Sequence, residues 1–505
     1  MSGILEDYEK LKGRGKDLRL LSSVSMLLEW DQETFMPKDG IDFRSSQVEL
    51  ITSLLHKEKT SSEYKCALEK LIDLESGEVK SDALDGRKKA SLREFRSDFL
   101  KETKLPNPFV KKLAKATSQG VNAWQHAKKD NNFEAFLPHL EEITTLNKEK
   151  ADYLGYDDHP YDALLDLYEP GMTSKKLDSL FGVLKPFLSN LTKKLSKKRE
   201  KTAFLSANYP LHEQQKFNHF LLEKMGVNLN RARLDFSAHP FCIGFNPHDV
   251  RFTTFTSTTS FFNSIFAVLH EGGHALYELG LPYEDLGTPL ADACSLGIHE
   301  SQSRWWECFI GQGRPLWEFA FPHLEKAFPK QLEGINLDHF VNAINHVEPS
   351  LIRVYADEVT YILHIIIRYE IEKEFITGSI DLADLPRIWN EKMEESLGIV
   401  PNTDADGCLQ DIHWAFGLIG YFPTYALGNL YSGQIFKTFT QTFPDYATSI
   451  AGGDLSFIQK FLHEKIHRHG REFHSLELIE NATGSTLSPK PYMSYLESKY
   501  LVSKS

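Results

Sequence analysis

A mainly α-helical protein with one small β-sheet is what the sequence predicts, on three observations. Apolar residues recur at three- and four-residue spacing through most of the 505 residues, as in Val48, Leu50, Ile51, Leu54 and Leu55. Only between Asn228 and Ser260 does the texture change to alternating β-branched and aromatic residues, punctuated by Gly, Pro and Asn. Directly after it comes an apolar run holding His270-Glu271-Gly272-Gly273-His274, where two imidazoles four residues apart share one helix face.

From Leu5 to about Met225 the pattern is a series of helices broken at Gly40, Pro106, Pro160 and Gly171, a helical scaffold. Lys194, Lys197, Lys198, Arg199 and Lys201 form a basic cluster that reads as a solvated helix end. Short strands are expected around Leu234 to Ser237, His239 to Phe241 and Asp249 to Thr256, with an edge to which extended peptide could add. Helices resume over Ala291 to Phe309, Pro349 to Phe375 and Leu409 to Ala426, the last broken at Gly420 and Pro423. After Leu455 a helix and a looser terminal segment are expected. The whole reads as a single domain, 1–505, with two intimately packed lobes as the alternative: a scaffold over 1–227 and a catalytic region over 228–505.

Composition narrows the function. With 41% hydrophobic and 12% aromatic residues the chain can bury a sizeable core. Its net charge of −13 is spread along the chain with no basic face, which speaks against a nucleic-acid partner. The cysteines at 66, 242, 294, 308 and 408 share no C-x-x-C spacing, so neither a disulfide framework nor a thiolate zinc site is indicated. An acidic opening and the lack of a long apolar run lead to the expectation of a cytosolic protein without a membrane partner, in which the sequons at Asn190 and Asn481 carry no meaning.

His270 and His274 can aim two neutral imidazoles at one Zn²⁺, leaving a position for water, with Glu271 placed to take a proton. Spelling alone does not identify the site, because His463-Glu464-Lys465-Ile466-His467 is a second match. The first lies among Ile265, Val268, Leu269, Ala275 and Leu276, whereas the second sits with Lys465, Arg468 and Arg471 near Gly470. Cations beside a divalent metal oppose binding, so the first is preferred and the second reads as a partly exposed tail helix. A third ligand is expected on a following helix, from Asp292, His299, Glu300 or Glu307; Glu300 stands in a dense polar run 26 residues beyond His274. Arg353 could hold a substrate carboxylate or simply pair with Asp357 four residues on. Gln410-Asp411-Ile-His413-Trp414 and Tyr421 to Tyr425 are rich in donors that could polarise a carbonyl or serve the core.

Taken together, His239-Pro-Phe241, Asp249-Val-Arg251-Phe-Thr253, His270 to His274, His299-Glu-Ser-Gln302, Ile352 to Asp357 and Gly407 to Trp414 resemble the thermostable (Taq-type) metallocarboxypeptidase family in order and spacing. Glu29 to Pro37 and Ile466 to Gly470 extend the likeness over nearly the whole chain. The resemblance implies a saddle-like helical body with a deep central groove and a small sheet beside the zinc helix. It also implies a homodimer, peptide substrates, and one zinc per chain, or cobalt in some members. By similarity the ligands are His270, His274 and Glu300, Glu271 is the general base and Arg353 anchors the terminal carboxylate. His239, Arg251, Gln410 and His413 are implied to close one end of the groove, and Tyr425 is the expected oxyanion donor. The expected activity is release of single C-terminal residues. Its rivals are a zinc oligopeptidase cutting internally, a di-iron bundle built on Glu271-x-x-His274 and Glu464-x-x-His467, and a peptide-binding scaffold with a structural metal.

Overall fold

Helix formation begins at once: Ser2–Thr34 runs as a single helix and turns back into Ile41–Lys59. The computed structural model describes residues 2–196, 203–259 and 261–502. Lys194 is exposed near the end of the helix Ser174–Leu195, and the rest of the basic cluster, Lys197, Lys198, Arg199 and Lys201, lies outside the described residues. The expected fold class holds: among the described residues 68% are helical and the strands form one three-stranded sheet. Two compact units form, each from three stretches: Met1–Thr103, Lys201–Val341 and Thr438–Ser485 in the first, Lys104–Glu200, Asn342–Lys437 and Thr486–Ser505 in the second.

In the first unit, Tyr8, Leu11 and Leu18 of the opening helix pack with Leu68, Leu71, Leu92, Phe95 and Phe99 into an N-terminal core. The sheet consists of β1 (Ala232–Phe236), β2 (Cys242–Asn246) and β3 (Asp249–Thr254) in the order β1-β3-β2. Central β3 runs parallel to β1, pairing Arg251 with Arg233, and antiparallel to β2 with an irregularity between Gly244 and Asn246. Behind it lies the helix Phe261–Leu279, which buries Phe261, Phe262, Ile265, Val268, Leu269, Ala275 and Leu276. Its two glycines are close-approach sites. A Cβ on Gly272 would stand 2.9 Å from the Met225 methyl, and one on Gly273 would stand 2.5 Å from the Gln302 carbonyl oxygen. Neighbouring chain therefore crowds this helix from two sides, which fixes what its histidines can reach.

Several expected boundaries move, each for a local reason. Instead of a helix from Ala291, a short turn Pro289–Ala291 is followed by Leu296–Arg304, because the Ser295 hydroxyl accepts from Ile298 N at 3.0 Å and caps the helix there. The next turn, Trp305–Gly311, widens to π geometry. In the second unit the expected helix from Pro349 starts only at Tyr361 and runs to Thr377, since the Asp357 carboxylate accepts from the N–H groups of Val359 and Thr360 at 2.9 and 3.1 Å. Residues 409–422 form turns rather than helix, with Gly417 and Gly420 in left-handed backbone (φ 69° and 90°), and helix begins at Pro423. The terminal segment is not loose: Ser475–Thr483 and Lys490–Glu497 are helical. All five cysteines are free thiols.

Candidate metal centre

The Phe261–Leu279 helix sets His270 and His274 one turn apart, their rings 4.9 Å between centroids and nearly perpendicular. Against them the Leu296–Arg304 helix, admitted by Gly273, places Glu300. One oxygen of Glu300, Oε2, lies 3.6 Å from Nε2 of His270 and 3.6 Å from Nε2 of His274. At that range the groups are not hydrogen-bonded to one another. Two ligand atoms each about 2.1 Å from a tetrahedral zinc ion would be separated by roughly 3.4 Å, so the spacing fits a shared cation. Among the described residues these three form the group able to hold a metal ion.

The other candidates for the third ligand are engaged elsewhere. Glu307 stands behind His270: its Oε2 accepts from Nδ1 at 2.8 Å and from Arg304 Nη1 at 2.7 Å. With Nδ1–H so engaged, Nε2 is left to face the centre. His299 stacks on His274, with centroids 4.3 Å apart and planes at 25°, while its Nε2 meets Glu278 at 2.9 Å. Asp292 is paired with Arg19.

Burial and charge act on these groups in opposite directions. Without a cation, burial works against a charge on His270, but the carboxylates of Glu300 and Glu307 outweigh it and push the imidazole up to about 9. Burial and the neighbouring His299 and His270 hold His274 well below the usual histidine range, neutral as a ligand must be. Glu271 is pushed up to about 7 by burial and by Glu300, although His270 opposes the rise. Glu307 is driven down to about 2: burial resists ionisation, and Arg304 and His270 overcome it. The cluster thus holds a displaceable proton on His270, a neutral His274, and a buried carboxyl poised near neutrality beside them.

His239, expected on a strand, is exposed in the loop between β1 and β2, since the second strand begins only at Cys242. Arg251 grips Asp249 with two bonds of 3.0 Å and lies over the rings of Trp30 and Phe245 at 4.7 and 4.9 Å. The second H-E-x-x-H is not a helix face, because its helix, Ser456–Lys465, stops before His467. Glu464 is exposed, and His467 is 1% exposed rather than partly solvated, its Nε2 donating to Gln302 Oε1 at 2.9 Å. The di-iron alternative loses both of its downstream ligands to that arrangement.

Arg353, Gln410, His413 and Tyr425 belong to the second unit and are gathered within it. Arg353 does not pair with Asp357. Its Nε and Nη2 donate to Asp411 Oδ1 at 3.0 and 2.9 Å, and Nη1 donates to Tyr361 Oη at 3.1 Å. Three of its five N–H donors are so used, leaving two. Asp411 Oδ2 accepts from Arg368 Nε at 2.7 Å, so one carboxylate serves two guanidinium groups and a positive charge is left over. Burial disfavours the Asp411 charge, yet Arg368 and Arg353 hold its carboxyl well below the usual range. Gln410 fixes the frame: Oε1 accepts from Arg353 N at 2.9 Å and from Arg368 Nη2 at 2.7 Å. Tyr425 lies in the first turn of Pro423–Thr442, its hydroxyl 3.3 Å from His413 Nε2, and the Arg353 guanidinium sits 5.0 Å over its ring. Burial lowers His413 to about 4, so it is neutral. Sequence reasoning passed over Arg368, hidden in the apolar run Tyr361 to Ile371, and named Asp411 without a role; an arginine in so apolar a helix was the available signal.

The chain matches the family model for carboxypeptidase Taq (M32) metallopeptidases over residues 10–500. It is 38% identical over 481 residues to carboxypeptidase 1 of Bacillus subtilis (strain 168), covering 95% of each chain. To thermostable carboxypeptidase 1 of Thermus thermophilus it is 41% identical over 505 residues, 98% of each. Among solved structures, the M32 carboxypeptidase from Deinococcus radiodurans R1 superposes with a TM-score of 0.95 at 34% identity, covering 98% of this chain and 99% of that one.

Proposed function

The chain belongs to the carboxypeptidase Taq (M32) metallopeptidase family and is a metallocarboxypeptidase, a peptide hydrolase; from that premise we propose that it releases single C-terminal residues by means of zinc held by His270, His274 and Glu300. The observation that carries the assignment is the approach of Glu300 Oε2 to both Nε2 atoms at 3.6 Å. Zinc held there supplies Lewis acidity and brings the pKa of water to about 7. Cobalt suits the same nitrogen and oxygen donors.

Glu271 takes the proton of the attacking water and passes it to the leaving amine. In the metal-free centre burial raises its carboxyl to about 7, and a cation held beside it would draw that value down toward a carboxylate ready to accept a proton. Arg353 receives the terminal carboxylate of the peptide on the two N–H donors left over, and its surplus charge favours an anion there. Tyr425 gives its hydroxyl to the oxyanion as the carbonyl is attacked. His239, Arg251, Gln410 and His413 limit substrate length, the last two by holding Arg353 and Tyr425 in place. The homodimer and the cytosolic location belong to the same reading; a solution mass of twice 57.7 kDa supports the dimer, and the single value denies it.

A timed digest of one peptide as free acid and as C-terminal amide, followed by mass spectrometry, tests the activity. Stepwise loss of single residues from the acid alone is expected. Equal cleavage of the amide would remove the Arg353 role, and internal fragments would favour the oligopeptidase.

A further inference from the structure

The tail residue His467 lies beside the metal helix without a part in the chemistry. Its own helix ends at Lys465, and Ile466 (φ −129°, ψ −61°) turns the chain so that His463 stays outside while His467 goes in. The imidazole lies against Gly280, the residue that follows the Phe261–Leu279 helix; a Cβ there would stand 2.7 Å from His467 Nδ1 and 2.8 Å from its Cβ. Only a glycine lets the ring in.

From this seat two sets of contacts lead toward the proposed ligands, one to the residues that follow Glu300 on its helix and one to the His274 ring. Its Nε2–H donates to Gln302 Oε1 at 2.9 Å, Gln302 Nε2 donates to Ser301 Oγ at 2.8 Å, and the Ser301 hydroxyl donates to Ile298 O at 2.6 Å. Gln302 and Ser301 are wholly buried and immediately follow Glu300. The same Gln302 offers its carbonyl to the Gly273 contact that seats the Glu300 helix. The second set is a run of rings. His467 lies 5.2 Å from Tyr277, Tyr277 lies 5.5 Å from His299, and His299 stacks on His274 at 4.3 Å. Burial keeps His467 neutral, down to about 3, so its single N–H has one fixed use.

We propose that His467 is a positioning residue for the metal centre, acting on Glu300 through the Gln302 hydrogen bond and on His274 through the Tyr277–His299 ring stack. The proposal rests on the assignment of His270, His274 and Glu300 as ligands. It accounts for the second H-E-x-x-H, whose last histidine supports the first motif from outside.

The test uses the full chain and zinc, with affinity measured by competition against a chelating dye. His467→Leu and Gln302→Met should each raise the zinc Kd by about 10- to 100-fold, as loss of groups that orient ligands does. His467→Gln, whose amide can still donate to Gln302, should recover part of that loss. Acting through one hydrogen bond, the His467→Leu/Gln302→Met pair should cost less than the two single effects multiplied. The visible band of the cobalt-loaded protein should shift in the same variants, and His463→Ala should change neither reading. Melting of the metal-free variants separates these effects from simple destabilisation, and Gln302→Met is read alone if His467→Leu does not fold. Folded variants that bind zinc within about twofold of the parent chain would overturn the proposal. A His274→Ala chain that binds zinc as tightly as the parent would overturn the ligand assignment and the proposal with it, a result distinct from unchanged affinity at His467.

Discussion

Replacing Glu307 by glutamine perturbs the centre without touching a proposed ligand. In the parent chain the carboxylate accepts from His270 Nδ1 at 2.8 Å and from Arg304 at 2.7 Å, and at about 2 its pKa keeps it ionised at any working pH. The amide oxygen can still accept from Nδ1, so the variant loses charge rather than the hydrogen bond. Metal affinity is expected to fall about tenfold, or about 1.4 kcal/mol, with Glu307→Ala nearer 100-fold. The pH profile adds a second reading. Without a cation His270 carries a proton up to about pH 9, and zinc must displace it. Affinity should therefore rise about tenfold per pH unit between roughly 7 and 9 and then level off. In Glu307→Gln the levelling point moves to lower pH, because one of the carboxylates that raises His270 is gone. Competition with a chelating dye from pH 6.5 to 10 measures both. A folded variant with unchanged affinity and an unchanged break would refute the role of Glu307 in aiming His270.

Gly273→Ala would bring a Cβ to 2.5 Å from the Gln302 oxygen and 2.8 Å from Ser303 Cα; a loss of roughly 1–3 kcal/mol in denaturant unfolding is expected, with weaker metal binding as the Glu300 helix is pushed away. Unchanged unfolding and binding would show that the two helices can part freely. Arg353→Met should raise KM for free-acid peptides about 10- to 100-fold with a smaller effect on kcat; an unchanged KM in steady-state assays would remove the carboxylate role. Glu94 resists ionisation through burial, but His474, Arg471 and Arg93 bring it down to about 2. Since its folded pKa lies below the unfolded value of about 4.5, its contribution of roughly 3 kcal/mol is complete above pH 4.5 and is lost as pH falls toward 2. Arg471→Leu should lower stability at pH 7 and flatten the acid slope in urea titrations; an unchanged slope would deny the coupling.

Much of the metal helix was legible because its chemistry is local: two histidines at helical spacing in an apolar run define a face without reference to the rest of the chain. The third ligand was harder, since Asp292, His299, Glu300 and Glu307 all follow within a few turns. Which of them comes within reach of both histidines depends on the Ser295 cap and on how closely Gly273 lets two helices approach. Glu307 was in view as a ligand, but its part as the partner of His270 Nδ1 depends on the widened turn at Trp305–Gly311, for which periodicity gives no sign. Arg353 was legible as a type and not in its pairing: a helix was expected through Asp357, and that residue instead caps the helix after it, leaving Asp411 from a distant turn as the partner. The break at Gly420 was legible, but the turns from Leu409 through Gly417 mimic helical spacing in their apolar residues and hide the irregular backbone there. His467 shows the limit most clearly, since the helix it was read on ends two residues too soon.

The central claim is that Glu271 moves the proton for a metal held by its neighbours. Metal content and residue release measured together on Glu271→Gln test it most directly. One zinc per chain with release of C-terminal residues slowed at least about 100-fold is the expected result. Release at the parent rate by a chain that still holds its zinc would contradict it.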